Sequence, residues 1–356
     1  MTTTNQEPSS LERVLQKVAE GFKDYFSNVF ERDFGQAPDL NSITIDAIKL
    51  EKKIGLTGIR LVTVSFSTNM GSHRAAIAVK SMKTQDEAKD NIRKIDFVLR
   101  RLSMAPVLGL SSPQVIFEGS LLIVLEGVKG FSFRESSIPD SEKLRLAGRS
   151  LCALHGSESA EPAIERFRLL PQKVVEALPI GQSQKAELAQ LFEEKAAKVV
   201  SQKMRSGACA FGDFHPGNIL YEVQQHQIPT IMTHLIDPEF LDTSNTVDRC
   251  EDICNFFVTQ AVSESLKKTQ EAITAFMAGY NEILAHYGLG NGLSSFYEDE
   301  PPINFQLAQG VLLSILNILG MPPETFGGPE GMNDEMNRRV ALSSSLLTAD
   351  PIYLAH

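Results

Sequence analysis

The sequence contains little cysteine and no pattern that would organise it into disulfides. Its four cysteines form no C-x-x-C pair: Cys152, Cys209, Cys250 and Cys254. Few and unpatterned cysteines are typical of proteins that fold in a reducing compartment. No apolar stretch reaches the length of a membrane span, and residues 1–10 lack the basic start and apolar core of a secretory signal. We therefore expect a cytoplasmic protein with no membrane partner.

Positively charged residues are fewer than negatively charged ones. The 356 residues include 34 Lys and Arg against 44 Asp and Glu, which gives a net charge of −10 at pH 7. This acidic balance argues against a nucleic acid or an anionic membrane as the main partner. With 42% apolar and 22% charged residues, the composition is that of an ordinary globular protein, and the length suffices for two lobes with a sizeable core.

Several catalytic and nucleotide-binding motifs are absent. No G-x-x-x-x-G-K-[ST] occurs, which excludes a Walker-type phosphate loop. Neither G-x-S-x-G nor H-E-x-x-H occurs, which disfavours a hydrolase. The glycine-rich run at residues 288–292 follows a helical pattern and has no strand before it. We expect it to end a helix rather than to bind phosphate.

Two short segments carry the polar groups around which a site is expected. Residues 211–220 (FGDFHPGNIL) and residues 235–240 (LIDPEF) each continue an apolar, strand-like run. Asp213 and Asn218 lie five residues apart across a Pro-Gly turn, and Asp237 follows the next strand. A sheet would hold these oxygen-bearing side chains rigidly at its edge. The pattern predicts a site for hard cations and phosphates.

The three side chains match the needs of phosphoryl transfer. Mg²⁺ takes oxygen ligands, usually one or two carboxylates together with waters and substrate phosphates. A separate carboxylate has to orient the attacking hydroxyl and accept its proton. We assign this role to Asp213 and the metal to Asn218 and Asp237. Each residue alone is an ordinary turn former or strand terminator, so the functional interpretation depends on all three occurring in register.

This double motif resembles the signature of the aminoglycoside phosphotransferase and choline kinase family, the small-molecule branch of the protein-kinase-like fold. The signature reads His-Gly-Asp-x-His-x-x-Asn followed by Ile-Asp-x-Glu/Asp, and it is matched by Asp213, His215, Asn218, Asp237 and Glu239. Phe211 stands where the family usually has a His that props the loop. The resemblance implies an α+β fold with a small antiparallel-sheet N-lobe and a larger, mainly helical C-lobe. We expect Glu239 to hold a second metal ion or its water, and His215 to be structural.

The resemblance places a phosphate-binding lysine in the N-lobe. β-branched runs predict three antiparallel strands, at residues 43–50, 59–66 and 74–82. The third strand contains Ala-Val-Lys, and Lys80 in it resembles the strand lysine of kinases that contacts the α and β phosphates. The alternative is a solvated surface lysine.

Other nucleotide contacts are implied around this lysine. The predicted helix at residues 84–102 would supply an acid to pair with it, for which we choose Asp96 over Glu87 on spacing. The loop between the first two strands contains Gly55 and Gly58, whose backbone N–H groups would approach phosphate. Two glycines in that place also describe an ordinary hairpin turn.

A hinge is predicted after the next strand. Residues 120–133 read as an apolar strand and a turn, and they resemble the family's hinge segment. Backbone groups at Glu126 and Val128 would then meet the adenine ring. The alternative is a plain strand and turn.

Helices dominate the rest of the chain. A helix at residues 141–155 ends in His155, which we expect to be a core histidine. Asp252, near the start of a later helix, resembles a family residue that buttresses the catalytic loop by hydrogen bonds, although it also suits the dipole of its own helix. We expect three parts: an N-terminal tail and amphipathic helix at 1–40, a nucleotide-binding N-lobe at 41–125, and a C-lobe with the catalytic and metal-binding loops at 126–356.

The expected activity is transfer of the γ-phosphate of ATP, with Mg²⁺, to a hydroxyl of a small molecule such as an amino sugar, an amino alcohol or a sugar-like acceptor. A nucleotide-binding pseudokinase or scaffold is the main alternative, motivated by Phe211 and by the open choice of a partner for Lys80. A protein-directed kinase ranks lower because no Ala-Pro-Glu-like segment follows Asp237. The sequence determines neither the acceptor nor the oligomeric state.

Overall fold

The computed structural model describes most of the chain, namely residues 22–54, 59–105, 107, 109–119, 121–157, 172, 174–178, 180–201, 207–224, 230–263, 266–290 and 303–348. These residues form two compact units. The first unit takes the described residues of 1–99 and 112–130, and the second takes those of 100–111 and 131–356.

Eleven strands and eight α-helices lie within the described residues. The strands are β1 (Thr44–Ile54), β2 (Ile59–Thr68), β3 (Gly71–Ser81), β4 (Leu110–Ser111), β5 (Val115–Glu118), β6 (Leu122–Glu126), β7 (Phe131–Ser132), β8 (Gly207–Ala210), β9 (Ile219–Gln224), β10 (Thr230–Leu235) and β11 (Asp242–Asp248). The helices are α1 (Lys23–Phe34), α2 (Gln85–Ser103), α3 (Asp140–His155), α4 (Gln182–Ser201), α5 (Arg249–Ser263), α6 (Leu266–His286), α7 (Asn304–Leu319) and α8 (Pro329–Thr348).

The first unit is built on a five-stranded antiparallel sheet with the order β1-β2-β3-β6-β5. Side chains alternate between its two faces, as the period of a strand requires. The buried apolar positions of β2 and β3 are Val62, Val64 and Phe66, and Ala75, Ile77 and Val79. The three strands predicted from the β-branched runs are confirmed, and β5 and β6 extend the sheet.

Helix α1 packs on this sheet through the apolar face that its spacing predicts. Phe26, Val29 and Phe30 are buried in the same core cluster as the inward residues of β2 and β3. The helix ends at Gly35, which adopts a left-handed conformation with φ of 76°. The described part of the predicted amphipathic helix therefore buries its apolar face against the sheet. The predicted turns before residue 22 lie outside the described residues.

The second unit combines helices with two small sheets, of order β4-β10-β9-β7 and β11-β8. Helices α3 and α6 cross at a pair of glycines. A Cβ on Gly148 would lie 2.0 Å from the carbonyl oxygen of Phe276, and one on Gly279 would lie 1.9 Å from that of Arg145. Only glycines allow the two backbones to approach this closely. The crossing brings the end of α3 beside the middle of α6.

The α+β class and the order of its parts are confirmed. An antiparallel sheet with its helix comes first, and a mainly helical unit with the loop motifs follows. Helix α6 ends before Gly288, whose φ is 82°, so the glycine-rich run there is a helix stop as predicted. Helix α8 and the pairing of β11 with β8 were not predicted. None of the described helices combines the length and apolarity needed to cross a bilayer.

Candidate active site

Strand β8 leads directly into the loop that carries Asp213. Gly212 begins the turn with φ of 82°, and a Cβ there would lie 2.5 Å from the carbonyl oxygen of Phe240. Glycine is therefore required for both backbone conformation and space. The loop closes in a 3₁₀ turn at Pro216–Asn218, where the ring Nδ1 of His215 accepts a hydrogen bond from the N–H of Gly217 at 3.0 Å.

Asn218 is joined to Asp213 across this turn. Its amide Nδ2 donates to the backbone oxygen of Asp213 at 3.0 Å and to the carboxylate Oδ2 at 3.2 Å. Asn218 is 8% exposed, whereas Asp213 is half-buried. Both amide hydrogens thus face Asp213, which leaves Oδ1 as the atom with which Asn218 would bind a cation. The sequence-predicted pair is brought together.

Asp237 is brought beside Asn218 by the β9–β10 hairpin. Ile219 pairs with Leu235, and the N–H of Ile236 donates to the backbone oxygen of Asn218 at 3.0 Å. Asp237 follows directly with φ of 55°, the left-handed region that Asp tolerates better than most residues. Among the described residues it is the only non-glycine with positive φ. Such backbone conformations are concentrated at functional sites, where the surrounding structure enforces them.

Asp252 holds the start of the loop that carries Asp213. Its carboxylate accepts hydrogen bonds from the backbone N–H of Phe211 at 2.7 Å and of Gly212 at 3.1 Å. Asp252 is 1% exposed, so these charge-assisted bonds are shielded from water. The predicted buttressing by Asp252 is confirmed.

A buried chain of hydrogen bonds leads to Asp252 from the other side. Arg249 Nη1 lies 3.3 Å from the hydroxyl of Tyr280, which lies 2.7 Å from His155 Nδ1; His155 Nε2 lies 3.3 Å from Asp252 Oδ2. Arg can only donate, so the Tyr280 hydroxyl accepts from Arg249, and the tautomer of His155 sets the direction of the other two bonds. Burial raises the pKa of Tyr280, so its hydroxyl stays protonated. Asp252 is thereby linked to a network of buried polar side chains.

Phe211 fills an apolar position and not a polar one. It is fully buried and packs edge-on against Phe214, with ring centroids 5.7 Å apart. Phe214 in turn contacts Phe256 and Phe276. The loop is therefore fixed by its backbone amides and by aromatic packing, without help from a polar side chain at position 211.

Lys80 lies on β3 opposite Ile123 of β6 and is only 3% exposed. A solvated surface lysine is thereby excluded. Asp96 is exposed on α2, between the buried Ile95 and Val98, and makes no ion pair or hydrogen bond with the described residues. The pairing of Lys80 with Asp96 is not formed in this structure, because Asp96 lies on the solvent side of the helix.

Glu87, the other candidate acid, is used locally. Its Oε2 accepts from the backbone N–H of Lys83 at 2.7 Å, and its own N–H donates to the hydroxyl of Thr84 at 3.1 Å. Reciprocal contacts of this kind cap the start of a helix. Gly55 and Gly58 lie outside the described residues.

The predicted hinge segment is tightly packed on β3. The N–H of Gly127 donates to the carbonyl oxygen of Ala76 at 3.0 Å, and a Cβ on Gly127 would lie 2.3 Å from that oxygen. Glu126 directs its side chain to Arg32 of α1 at 3.4 Å and donates its N–H to Gln114. Val128 makes no backbone hydrogen bond to the described residues.

The donor set suits a cation that arrives with its own ligands. Within the described ranges, no three His, Cys, Asp or Glu side chains form a ready-made metal cage. Mg²⁺ needs only one or two protein carboxylates when phosphates and waters complete its shell. Asn218, Asp237 and the half-buried Glu239 offer oxygen atoms of this kind, so the residues fit Mg²⁺ with a bound nucleotide.

Comparison with known proteins adds structural matches only. No model of a known protein family matches the sequence, and no curated protein matches it. A choline kinase of Streptococcus pneumoniae matches with 12% identity and a TM-score of 0.49, over 91% of this chain and 99% of that chain. An ethanolamine kinase of Plasmodium vivax matches with 14% identity and a TM-score of 0.45, over 97% and 95%. A macrolide 2'-phosphotransferase of Brachybacterium faecium matches with 14% identity and a TM-score of 0.41, over 92% of this chain and 99% of that chain.

Two residues of the buried network were missed by sequence reasoning. Arg249 and Tyr280 are fully buried, and Tyr280 is 125 residues away from its partner His155. Helical periodicity marks Tyr280 as a core residue but does not reveal its partner.

Cys209, on β8, is not part of this network. Burial raises the pKa of its thiol to about 11. It stays protonated at neutral pH and is no nucleophile.

Proposed function

We propose that this protein is a phosphotransferase that moves the γ-phosphate of ATP to a hydroxyl of a small molecule, such as an amino sugar, an amino alcohol or a sugar-like acceptor. One observation carries the proposal. Asp213 and Asn218 are hydrogen-bonded within one loop, and the backbone of Asn218 is bonded to Ile236, next to Asp237. A half-buried carboxylate and the two expected metal ligands are thus gathered on one rigid support.

Asp213 is the catalytic residue in this mechanism. The acceptor oxygen forms a bond to the γ-phosphorus while the bond from that phosphorus to ADP breaks, and the hydroxyl proton passes to the Asp213 carboxylate. Asn218 holds Oδ2 of this carboxylate, so Oδ1 faces the hydroxyl. Buttressing by Asp252 fixes the loop before substrate binds, which is the positioning on which such reactions depend.

The cofactors that we assign are ATP and Mg²⁺. Asn218 Oδ1 and the carboxylates of Asp237 and Glu239 would hold the metal, which would neutralise charge on the phosphate oxygens. In the first unit, we assign Lys80 to the phosphates, because a buried ammonium is retained where it meets an anion. Backbone groups at Glu126 and Val128 are assigned to the adenine ring.

The test is transfer of labelled phosphate from ATP with Mg²⁺ to a panel of aminoglycosides, choline, ethanolamine, sugars and homoserine. Asp213→Asn keeps the size and hydrogen bonding of the side chain but removes the base, and we expect kcat to fall about 10²–10⁴-fold. Asp334→Asn, on an exposed position of α8, removes the same charge and should leave transfer unchanged. Transfer that survives in Asp213→Asn would contradict the proposed mechanism.

A pseudokinase is the second candidate, because Phe211 replaces the usual polar loop residue. Isothermal titration with ATP and Mg²⁺ separates the two. Binding without transfer to any acceptor of the panel favours the pseudokinase, and no binding contradicts both. The acidic net charge supports a small-molecule acceptor over nucleic acid, and four free cysteines support the cytoplasmic location that we propose.

A further inference from the structure

His215 has a fixed orientation in the catalytic loop. Its Nδ1 accepts a hydrogen bond from the backbone N–H of Gly217 at 3.0 Å. A ring nitrogen that accepts carries no proton, so the proton of the neutral imidazole is on Nε2. The turn thereby selects one tautomer of His215.

The protonated nitrogen lies near the carboxylate of Asp213. Nε2 is 3.5 Å from Oδ2 of Asp213, and the two side chains are 42% and 44% exposed. The same oxygen accepts from Asn218 Nδ2 at 3.2 Å. One donor is therefore bonded to Oδ2 and a second lies close to it, at opposite ends of the 3₁₀ turn.

Space at Gly217 supports this orientation independently. A Cβ on Gly217 would lie 2.7 Å from Cε1 of His215 and 3.0 Å from Nδ1. The ring therefore lies directly over the backbone of residue 217, where any larger residue would displace it. Gly217 has no positive φ, so its space, and not its backbone freedom, is what the loop uses.

We propose that His215 is a positioning residue that donates through Nε2 to Oδ2 of Asp213 during turnover. With Asn218 it holds Oδ2, and Oδ1 is left to receive the proton of the acceptor hydroxyl. The 3.5 Å separation exceeds a good hydrogen bond, and catalytic hydrogen bonds that are long in the free enzyme commonly shorten when substrate binds. His215 is not itself the base, because its only lone-pair nitrogen is engaged by Gly217. This inference rests on the proposed function.

Two variants separate the donor from the turn-capping role. In His215→Asn, the side-chain oxygen can replace Nδ1 as the acceptor for Gly217, but no donor reaches Asp213. In His215→Gln, the longer amide can place its Nε2 near the position of the ring Nε2, but the local acceptor is lost. We expect kcat for the acceptor found in the panel to fall about tenfold or more in His215→Asn, because a hydrogen bond to a charged group is lost. His215→Gln should stay within about threefold of wild type.

The outcome that overturns the proposal is the reverse order, or equal loss in both variants, since a residue that only caps the turn would be rescued by Asn. The KM for ATP should not change in either variant. Thermal unfolding followed by circular dichroism shows whether both variants fold.

A second measurement does not depend on activity. Nitrogen-15 NMR of histidine-labelled full-length protein at pH 8, with His215→Asn to assign the signal, reports which ring nitrogen carries the proton. The expected result is a protonated Nε2, and a protonated Nδ1 overturns the inference. If wild type transfers phosphate to no acceptor, the proposed function fails, and the tautomer still decides the orientation of His215.

Discussion

Replacement of Asp252 by Asn tests how the catalytic loop is held. The carboxylate accepts from Phe211 and Gly212, one amide on each oxygen, at 2.7 and 3.1 Å. In Asp252→Asn one of these oxygens becomes an NH₂ group, which faces a backbone N–H and cannot accept from it. The loss of one charge-assisted hydrogen bond lowers the free energy of unfolding by about 1.5–3 kcal/mol, and one buried N–H left without an acceptor lowers it by about 1–3 kcal/mol. We expect a total cost of about 3–5 kcal/mol.

The matched control is Glu251→Gln, in the same first turn of α5. If Asp252 acted only on the helix dipole, both variants would cost the same, about 0.3–1 kcal/mol. The difference between them therefore includes the contacts of Asp252 with Phe211, Gly212 and His155, and only an assay at the two amides isolates the bonds to the loop. Because the protein has two units, global unfolding need not be a single transition, and a local assay is preferable.

Hydrogen exchange of the backbone amides of Phe211 and Gly212 is that local assay. A loss of 3 kcal/mol in the free energy of local opening speeds exchange by about 10²-fold. Transfer activity should fall in parallel, because Asp213 is carried by the same loop. Exchange in Asp252→Asn that matches Glu251→Gln would refute the assignment of Asp252 as the buttress.

Two further predictions concern packing and pH. Gly148→Ala should destabilise the protein by about 3 kcal/mol or more, because its Cβ would lie 2.0 Å from the carbonyl oxygen of Phe276. Thermal melting measures this loss. Gly290→Ala is the control, because a Cβ on Gly290 would meet nothing within 4 Å. Burial, with the nearby charge of Glu126, raises the pKa of Tyr25 from 10.0 to about 12, so its contribution is present below pH 10 and lost as pH rises to about 12. Urea unfolding should show wild type losing about 2–3 kcal/mol relative to Tyr25→Phe across that interval, and a constant difference would contradict this.

Local patterns were sufficient for the elements that carry the site. Strands β1, β2 and β3 of the first sheet follow from β-branched runs, and the loop that carries Asp213 follows from its Pro-Gly turn between two strands. Asp213, Asn218 and Asp237 are brought together because each is tied to one short hairpin and its flanking turn. Such contacts span few residues, and a sequence pattern can therefore reveal them.

Longer-range partners could not be read in the same way. Asp96 was chosen by its distance along the chain from Lys80, although the buried positions of α2 place it toward solvent. The contact of His155 with Tyr280 depends on the crossing of α3 with α6, which is set by Gly148 and by a second glycine far along the chain. Nothing local to either helix indicates which glycine meets which backbone.

Phe211 shows how the loop that carries Asp213 is held without the His that the resembled family has at this position. A His at this position would have to prop the loop through its side chain, but here the loop is held by two backbone amides, which every residue type provides. The charge that receives them is itself oriented by His155, and His155 by Tyr280. The polar support of the loop therefore comes from Asp252 of α5, His155 of α3 and Tyr280 of α6, and Phe211 contributes apolar packing. On this reasoning, Tyr280→Phe should impair phosphate transfer, although Tyr280 lies far from Asp213 along the chain. A Tyr280→Phe variant that transfers phosphate as well as wild type would show that the loop does not need this support.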